Sequence, residues 1–393
     1  MTPAARLSAA IEVLDIYLSG TAAEKALTNW ARRSRFAGSK DRAAVRDIVF
    51  ECLRKRGKFS RLGLTGRGLV VCYSADTVEN PEELKALFSG EGHAPAGLTK
   101  DEHSALEQGE NATSDEMLFN MPDWLSAELK ASLGDDAIAV AQSLSDRAGV
   151  FVRVNTTKGS VDAALSSLAK DGIVARRHDL SKNALQLIEN PRKLSGSAAY
   201  LSGLVELQDV ASQALCAKLP SAKRMLDYCA GGGGKVLAYG DQNDALLFAH
   251  DANPKRLQDL GPRAKRAGVK VSILSSKACR QAAPFDLVLC DVPCSGSGAW
   301  RRSPEGKWSL SESAYERLLG VQQDILREAA GLVAVGGTLA FATCSVFTRE
   351  NEEQIAKFCA ENDGWTRAFD HRFSPLEGGD GFYLAYLTQD SRG

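Results

Sequence analysis

From residue 221 onward the sequence alternates short apolar runs with helical stretches. The runs are "RMLDYCA", "ALLFAHD", "VSIL", "FDLVLCD" and "GGTLAFATCS". This regular alternation predicts an α/β fold: a mostly parallel sheet with helices on both faces. In such a sheet ligands bind at the carboxyl ends of the strands, which directs attention to the residues that follow each run.

At 393 residues the chain is long enough for several domains. Leu7, Ile11, Leu14 and Leu18 recur at helical spacing, and Val45, Ile48, Val49, Cys52 and Leu53 form a second apolar face, so residues 1–60 read as a small helical bundle. Residues 61–145 are mixed and loop-rich, a connector with short helices. Residues 146–220 contain "VFVRVNTT", "VDAALSSLAKDG" and "LQLIE", a strand, a helix and a strand, and read as a small α/β module. The fourth segment, 221–393, carries the alternation.

Net charge is only −1, yet residues 31–67 hold twelve Lys or Arg against three acids, and residues 76–119 hold eleven acids against two Lys. Arg32, Arg33, Arg35, Lys40, Arg42, Arg46, Arg54, Lys55, Arg56 and Lys58 suit a phosphate-binding surface, and equally a solvated face balanced by the acidic stretch that follows. No apolar run approaches the ~18 residues of a membrane span, and the N-terminus lacks the pattern of a signal peptide, so a cytoplasmic protein is expected. Nine cysteines with no C-x-x-C pair speak against a disulfide framework or a standard zinc site.

"LDYCAGGGGKVLA" places Gly231, Gly232, Gly233 and Gly234 between a strand and a helix, where bare backbone amides can face a ligand closely. A P-loop is disfavoured, because Cys229 stands where its first glycine belongs and Val236 where Ser or Thr belongs; the strict dinucleotide spacing is not met either. The next strand ends in Asp251, seventeen residues past Gly234. That is close to the ~20-residue offset of an acid that accepts hydrogen bonds from ribose hydroxyls, although Asp251 can equally cap the following helix.

Two further runs deliver Cys294 and Cys344 at or just past their carboxyl ends. Paired thiols there suit methyl transfer to carbon 5 of a pyrimidine, a carbon too weakly nucleophilic to act unaided. A thiolate adding to carbon 6 makes carbon 5 an enamine carbon able to attack a sulfonium methyl. Asp291 can hydrogen-bond the ring as charge develops. Thr348 reads as the N-cap of a helix whose first-turn acids include Glu350.

"CAGGGGK", "DVPCSGSGAWRRSPEGKW" and "ATCSVFTRENEE", in this order, resemble the Sun-type RNA (cytosine-5) methyltransferases of the Fmu/RsmB group. "VELQDVASQ" and "GDGFYLAYL" look like the same family, and "RFAGSKDRAAVRDIVFECLR" is similar to its NusB-like helical domain. The resemblance implies a Rossmann-like class I methyltransferase domain using S-adenosylmethionine. It implies Cys344 as nucleophile, Cys294 as the group assisting product release, Asp291 and Lys235 facing base and cofactor, and Asp251 on the cofactor ribose. The cofactor loop would comprise Cys229, Ala230, Gly231, Gly232, Gly233, Gly234 and Lys235. Ribosomal small-subunit RNA is the implied substrate, with transfer RNA an alternative, and a monomer is expected.

The sequence departs from the family pattern where Gly231 and Gly232 replace the usual Ala-Pro, Val236 replaces Thr, and Ser275, Ser276 and Lys277 stand where an acid usually holds the adenine amine. A homologue that binds RNA without catalysis is the competing reading, and a methyltransferase acting on an exocyclic amine is another. Arg153, Asn155, Arg176 and Arg177 are expected to hold the RNA backbone. Trp300 and Trp308 read as core in preference to base-stacking platforms, while Arg301 and Arg302 suit either RNA phosphate or a pair with Glu305.

Overall fold

The computed structural model describes residues 1–107 and 115–389; residues 108–114, within the expected connector, lie outside the described residues. The chain forms two compact units. One comprises Met1–Lys130, Asp135–Asp146 and Trp300–Ser309, and the other Ala131–Gly134, Arg147–Ala299 and Leu310–Gly393.

The first unit is helical. Pro3–Leu18, Ala23–Arg33, Ser39–Arg54 and Gly66–Thr77 pool Leu14, Leu27, Trp30, Val49, Leu53, Leu69 and Val71 in one core. The apolar face of 66–77 belongs to that core, so the helical packing continues past residue 60. Residues 300–309 also belong to this unit. Trp300 is fully buried, and the Trp308 indole donates to the Leu53 carbonyl at 3.0 Å, which makes both tryptophans structural. Arg301 is buried, not at the surface, its carbonyl accepting from Arg54, and Glu305 accepts from the Ala23 amide at 2.9 Å.

The basic stretch is sorted by burial. Arg54 is buried against Glu51, and Lys55 and Lys58 share Asp76, whereas Arg32, Arg33, Arg35, Lys40, Arg42 and Arg46 are exposed.

The second unit contains two sheets. β1 (Val150–Val154), β2 (Val174–Arg177), β3 (Ala184–Glu189) and β4 (Val205–Leu207) form an antiparallel sheet in the order β2-β3-β1-β4. Arg153 and Asn155 do not face solvent. Arg153 is an almost fully buried partner of Asp241 at 2.9 Å, and Asn155 donates to the Ala267 carbonyl at 2.8 Å. Both are mortar inside the unit, leaving Arg176 and Arg177 as the exposed cations of that group.

The larger sheet runs β10-β11-β9-β8-β5-β6-β7, with β5 (Arg224–Asp227), β6 (Leu246–Ala249), β7 (Val271–Ile273), β8 (Phe285–Asp291), β9 (Val333–Thr343), β10 (Trp365–Phe373) and β11 (Phe382–Gln389). Strands β5 to β9 pair in parallel, and β10 and β11 close one edge antiparallel. Alternate residues serve opposite cores: Leu287, Leu289, Ala340 and Ala342 on one face, Val288, Cys290, Leu339 and Phe341 on the other. A strand buried on both sides has no polar register, which is why these runs read as continuously apolar. From β5 the order steps outward in both directions, to β6 and to β8, so the crevice at the carboxyl end of β5 is the topological switch point.

Candidate active site

The glycine loop crosses that crevice. Its entry is fixed by the Ala230 amide donating to the His250 carbonyl at 2.8 Å, and the Gly231 amide donates to Asp251 Oδ2 at 3.0 Å. Gly231 and Gly233 have φ of +50° and +79°, where glycine alone is unstrained, and a Cβ on Gly233 would lie 2.1 Å from Leu260 Cδ1. Asp251 is buried at the end of β6, its Oδ1 accepting the Asn253 amide at 2.9 Å. Arg256 pairs with Asp251 at 3.1 Å and lies over Gly231, while Arg263 donates to the Gly232 carbonyl at 2.5 Å. Neither arginine was legible as part of the site, because each reaches the loop from a later helical turn. Cys229 is partly buried and its thiol is pushed up by burial.

Lys235 follows the loop and places its ammonium 2.5 Å from Asp291 Oδ2. Burial opposes that charge, but the Asp291 carboxylate, with Cys216 and Cys344 adding to it, holds Lys235 above its ordinary value. Beside the pair, Asp227 ends β5 fully buried, and its Oδ1 has no hydrogen-bond partner among the described residues. Burial and then the Asp291 charge raise Asp227 from 3.8 to about 7, against the pull of Lys235. Between those values the folded state keeps a proton that the unfolded chain has lost, so this group's contribution to stability falls as pH rises from about 4 to 7 and is flat above. Asp227→Asn is therefore expected to melt above the wild type at pH 8, with the gap closing by pH 4, as followed by calorimetry.

Cys294 and Cys344 lie at the ends of adjacent strands β8 and β9, their sulfurs 3.4 Å apart. The Cys294 thiol is pushed well up, first by its hydrogen bond to Cys344, then by burial and by the charges of Cys344 and Glu350. In the contact between the two thiols either sulfur can be the donor.

By sequence Glu350 is a first-turn acid of a helix capped by Thr348. Instead residues 348–350 form a 3-10 turn, the helix begins at Glu352 after Asn351, and Thr348 does not cap it. Glu350 turns inward, taking the Ser295 amide at 2.8 Å, the Ser295 hydroxyl and Gln322 Nε2 at 3.0 Å. Ser297 Oγ meets Ser345 Oγ at 2.9 Å, and the Gly298 amide donates to the Cys344 carbonyl at 3.0 Å. These bonds stitch the two cysteine-bearing turns together. Of the two glycines of "SGSG", Gly298 makes the close approach: a Cβ there would lie 2.1 Å from the Gly381 carbonyl oxygen.

A switch-point crevice holding a glycine loop, an acid at the next strand end and a second acid after the neighbouring strand defines the class of Rossmann-like methyltransferases. The family described as 16S rRNA methyltransferase RsmB/F matches residues 214–387, and the ferredoxin-like domain of RsmF/B-like methyltransferases matches residues 121–193. Ribosomal RNA small subunit methyltransferase B of Citrobacter koseri is 31% identical over 336 residues, covering 80% of this chain and 77% of that protein. The enzyme of the same name from Shewanella oneidensis is 28% identical over 389 residues, covering 90% and 89%.

The chain belongs to the RsmB/F methyltransferase family. Among solved structures, PH0851 superposes with a TM-score of 0.76 at 23% identity, covering 99% of both chains, and a methyltransferase homologue from Pyrococcus horikoshii with 0.59 at 22%, covering 70% and 99%; both show the fold. S-adenosylmethionine is the cofactor of this family, and the residues present fit it: a glycine cradle that a side chain would fill, and a buried carboxylate beside it.

Proposed function

We propose that the protein methylates carbon 5 of a cytosine in small-subunit ribosomal RNA through a covalent cysteine adduct. The observation that carries this reading is the pair of thiols 3.4 Å apart beside the Lys235–Asp291 pair, since transfer to an exocyclic amine needs no second thiol. The substrate class follows from the relatives' name, ribosomal RNA small subunit methyltransferase B.

Cys229 to Lys235, Asp251 and Asp291 hold S-adenosylmethionine, which supplies an electrophilic methyl group when bound. Arg256 joins Asp251 on the ribose side. Cys344 attacks carbon 6 as a thiolate, and the Lys235–Asp291 pair stabilises the charge that develops on the ring nitrogen and exocyclic amine. After methylation the carbon 5 proton passes to solvent, its bonding electrons restore the carbon 5–carbon 6 double bond, and the carbon–sulfur bond breaks with its electrons returning to Cys344. The Cys294 thiol, a donor to that sulfur, stabilises the departing thiolate. The exposed arginines of the helical unit, with Arg176 and Arg177, hold RNA phosphates, and binding weakens steeply as salt is raised. An unpaired cytosine reaches the site without the few kcal/mol that unstacking a paired base costs.

Incubation with labelled S-adenosylmethionine and small-subunit RNA, followed by nucleoside mass spectrometry, is expected to yield 5-methylcytidine at one position. N4-methylcytidine, or no product from any RNA, would remove the reading.

A further inference from the structure

We propose that Ser276, its hydroxyl oriented by His250, recognises the adenine amine of the cofactor in place of the acid absent from the end of β7. This rests on the reading of Asp251 as the ribose acceptor. The Leu274 amide bonds the Ala249 carbonyl at 2.9 Å, so the ends of β6 and β7 leave the sheet side by side, with Asp251 on the first and Ser276 on the second. Glycine loop, Asp251 and Ser276 therefore follow one another along the carboxyl edge of β5, β6 and β7, the order in which an extended nucleoside lies across a switch point.

His250 is buried and stacked on Tyr228, ring centroids 4.5 Å apart. Its Nδ1 lies 2.7 Å from the Tyr228 carbonyl oxygen and its Nε2 2.9 Å from Ser276 Oγ. A carbonyl can only accept, so Nδ1 carries the proton, and in the neutral ring Nε2 is then the acceptor. Ser276 must donate its one hydrogen to Nε2. Its oxygen is left at the exposed strand end with lone pairs only, an acceptor suited to an amine. Ser275 is engaged differently: its hydroxyl oxygen accepts the Ala278 amide at 3.3 Å as a helix cap. The device needs both residues at once, a histidine just past β6 and a serine starting the helix after β7.

Calorimetric titration with S-adenosylhomocysteine and with S-inosylhomocysteine, in which a carbonyl oxygen replaces the amine, separates the possibilities. The wild type is expected to prefer the adenosyl ligand by about tenfold, the scale of one well-placed hydrogen bond. Ser276→Ala should bring the two ligands to within about twofold. His250→Phe keeps the ring stack and frees the serine hydroxyl to turn, so it should also erode the preference. A wild-type preference surviving in Ser276→Ala overturns the proposal. Asp251→Asn serves as the separate control: it should weaken both ligands equally, and unchanged binding in that variant would sink the ribose reading while the ligand ratio still tests Ser276.

Discussion

Cys294→Ala protein incubated with RNA and S-adenosylmethionine is expected to accumulate a species that survives denaturing electrophoresis with the RNA attached. Cys344→Ala is expected to form none, and to lose methyl transfer on the order of 10⁴-fold, because the ring carbon has no nucleophilic character until sulfur adds beside it. The asymmetry has a basis in the site. Cys294 is the thiol pushed well up by its hydrogen bond to Cys344, by burial and by Glu350, which disfavours it as the attacking thiolate. Without Cys294 the attacking sulfur forms its bond but loses the donor that eases its departure. The reverse pattern, an adduct in Cys344→Ala and none in Cys294→Ala, would exchange the two roles. No adduct with either variant, and unimpaired transfer in both, would remove the covalent mechanism.

Gly298→Ala is expected to unfold the catalytic unit at a markedly lower temperature and to abolish activity in what remains folded. The added Cβ would lie 2.1 Å from the Gly381 oxygen, 2.6 Å from its carbonyl carbon and 2.7 Å from its Cα. These are backbone atoms, tied by the Gly381 amide donating to the Gly298 carbonyl at 2.9 Å, so neither segment can yield by turning a side chain. Overpacking of this kind costs about 3 kcal/mol, and at roughly 2–4 °C per kcal/mol the melting temperature should fall by about 10 °C. The shift would also part the turn carrying Cys294 from the strand end carrying Cys344. Gly296 makes the contrast. Its φ is +68° with nothing within 4 Å of a Cβ, so Gly296→Ala should lose only about 1 kcal/mol of backbone preference. Equal melting temperatures for the two variants would show that the close approach at Gly298 is not what holds the turn.

The parallel sheet, the glycine loop, Asp251 and the two cysteines were legible in the sequence because each is a local pattern. A run buried on both faces is apolar throughout, a loop that needs positive φ is glycine, and residues following such runs fall at strand ends whatever the strand order. The antiparallel edge formed by β10 and β11 was missed, since "TRAFDHRF" mixes charge with aromatics in the manner of an exposed edge strand. What only the tertiary structure decided was which residues meet. The sulfurs come within 3.4 Å because β8 and β9 are neighbours in the sheet. Arg153 reads by sequence as an RNA contact, yet it is buried because its partner, Asp241, comes from a different layer. Glu350 reads as an acid opening a helix and instead clamps the turn at Ser295, and residues 300–309 leave the catalytic stretch of sequence for the helical core. Burial of a charge depends on a partner remote in the chain, and periodicity, which reports only an element's own faces, carries no record of that partner.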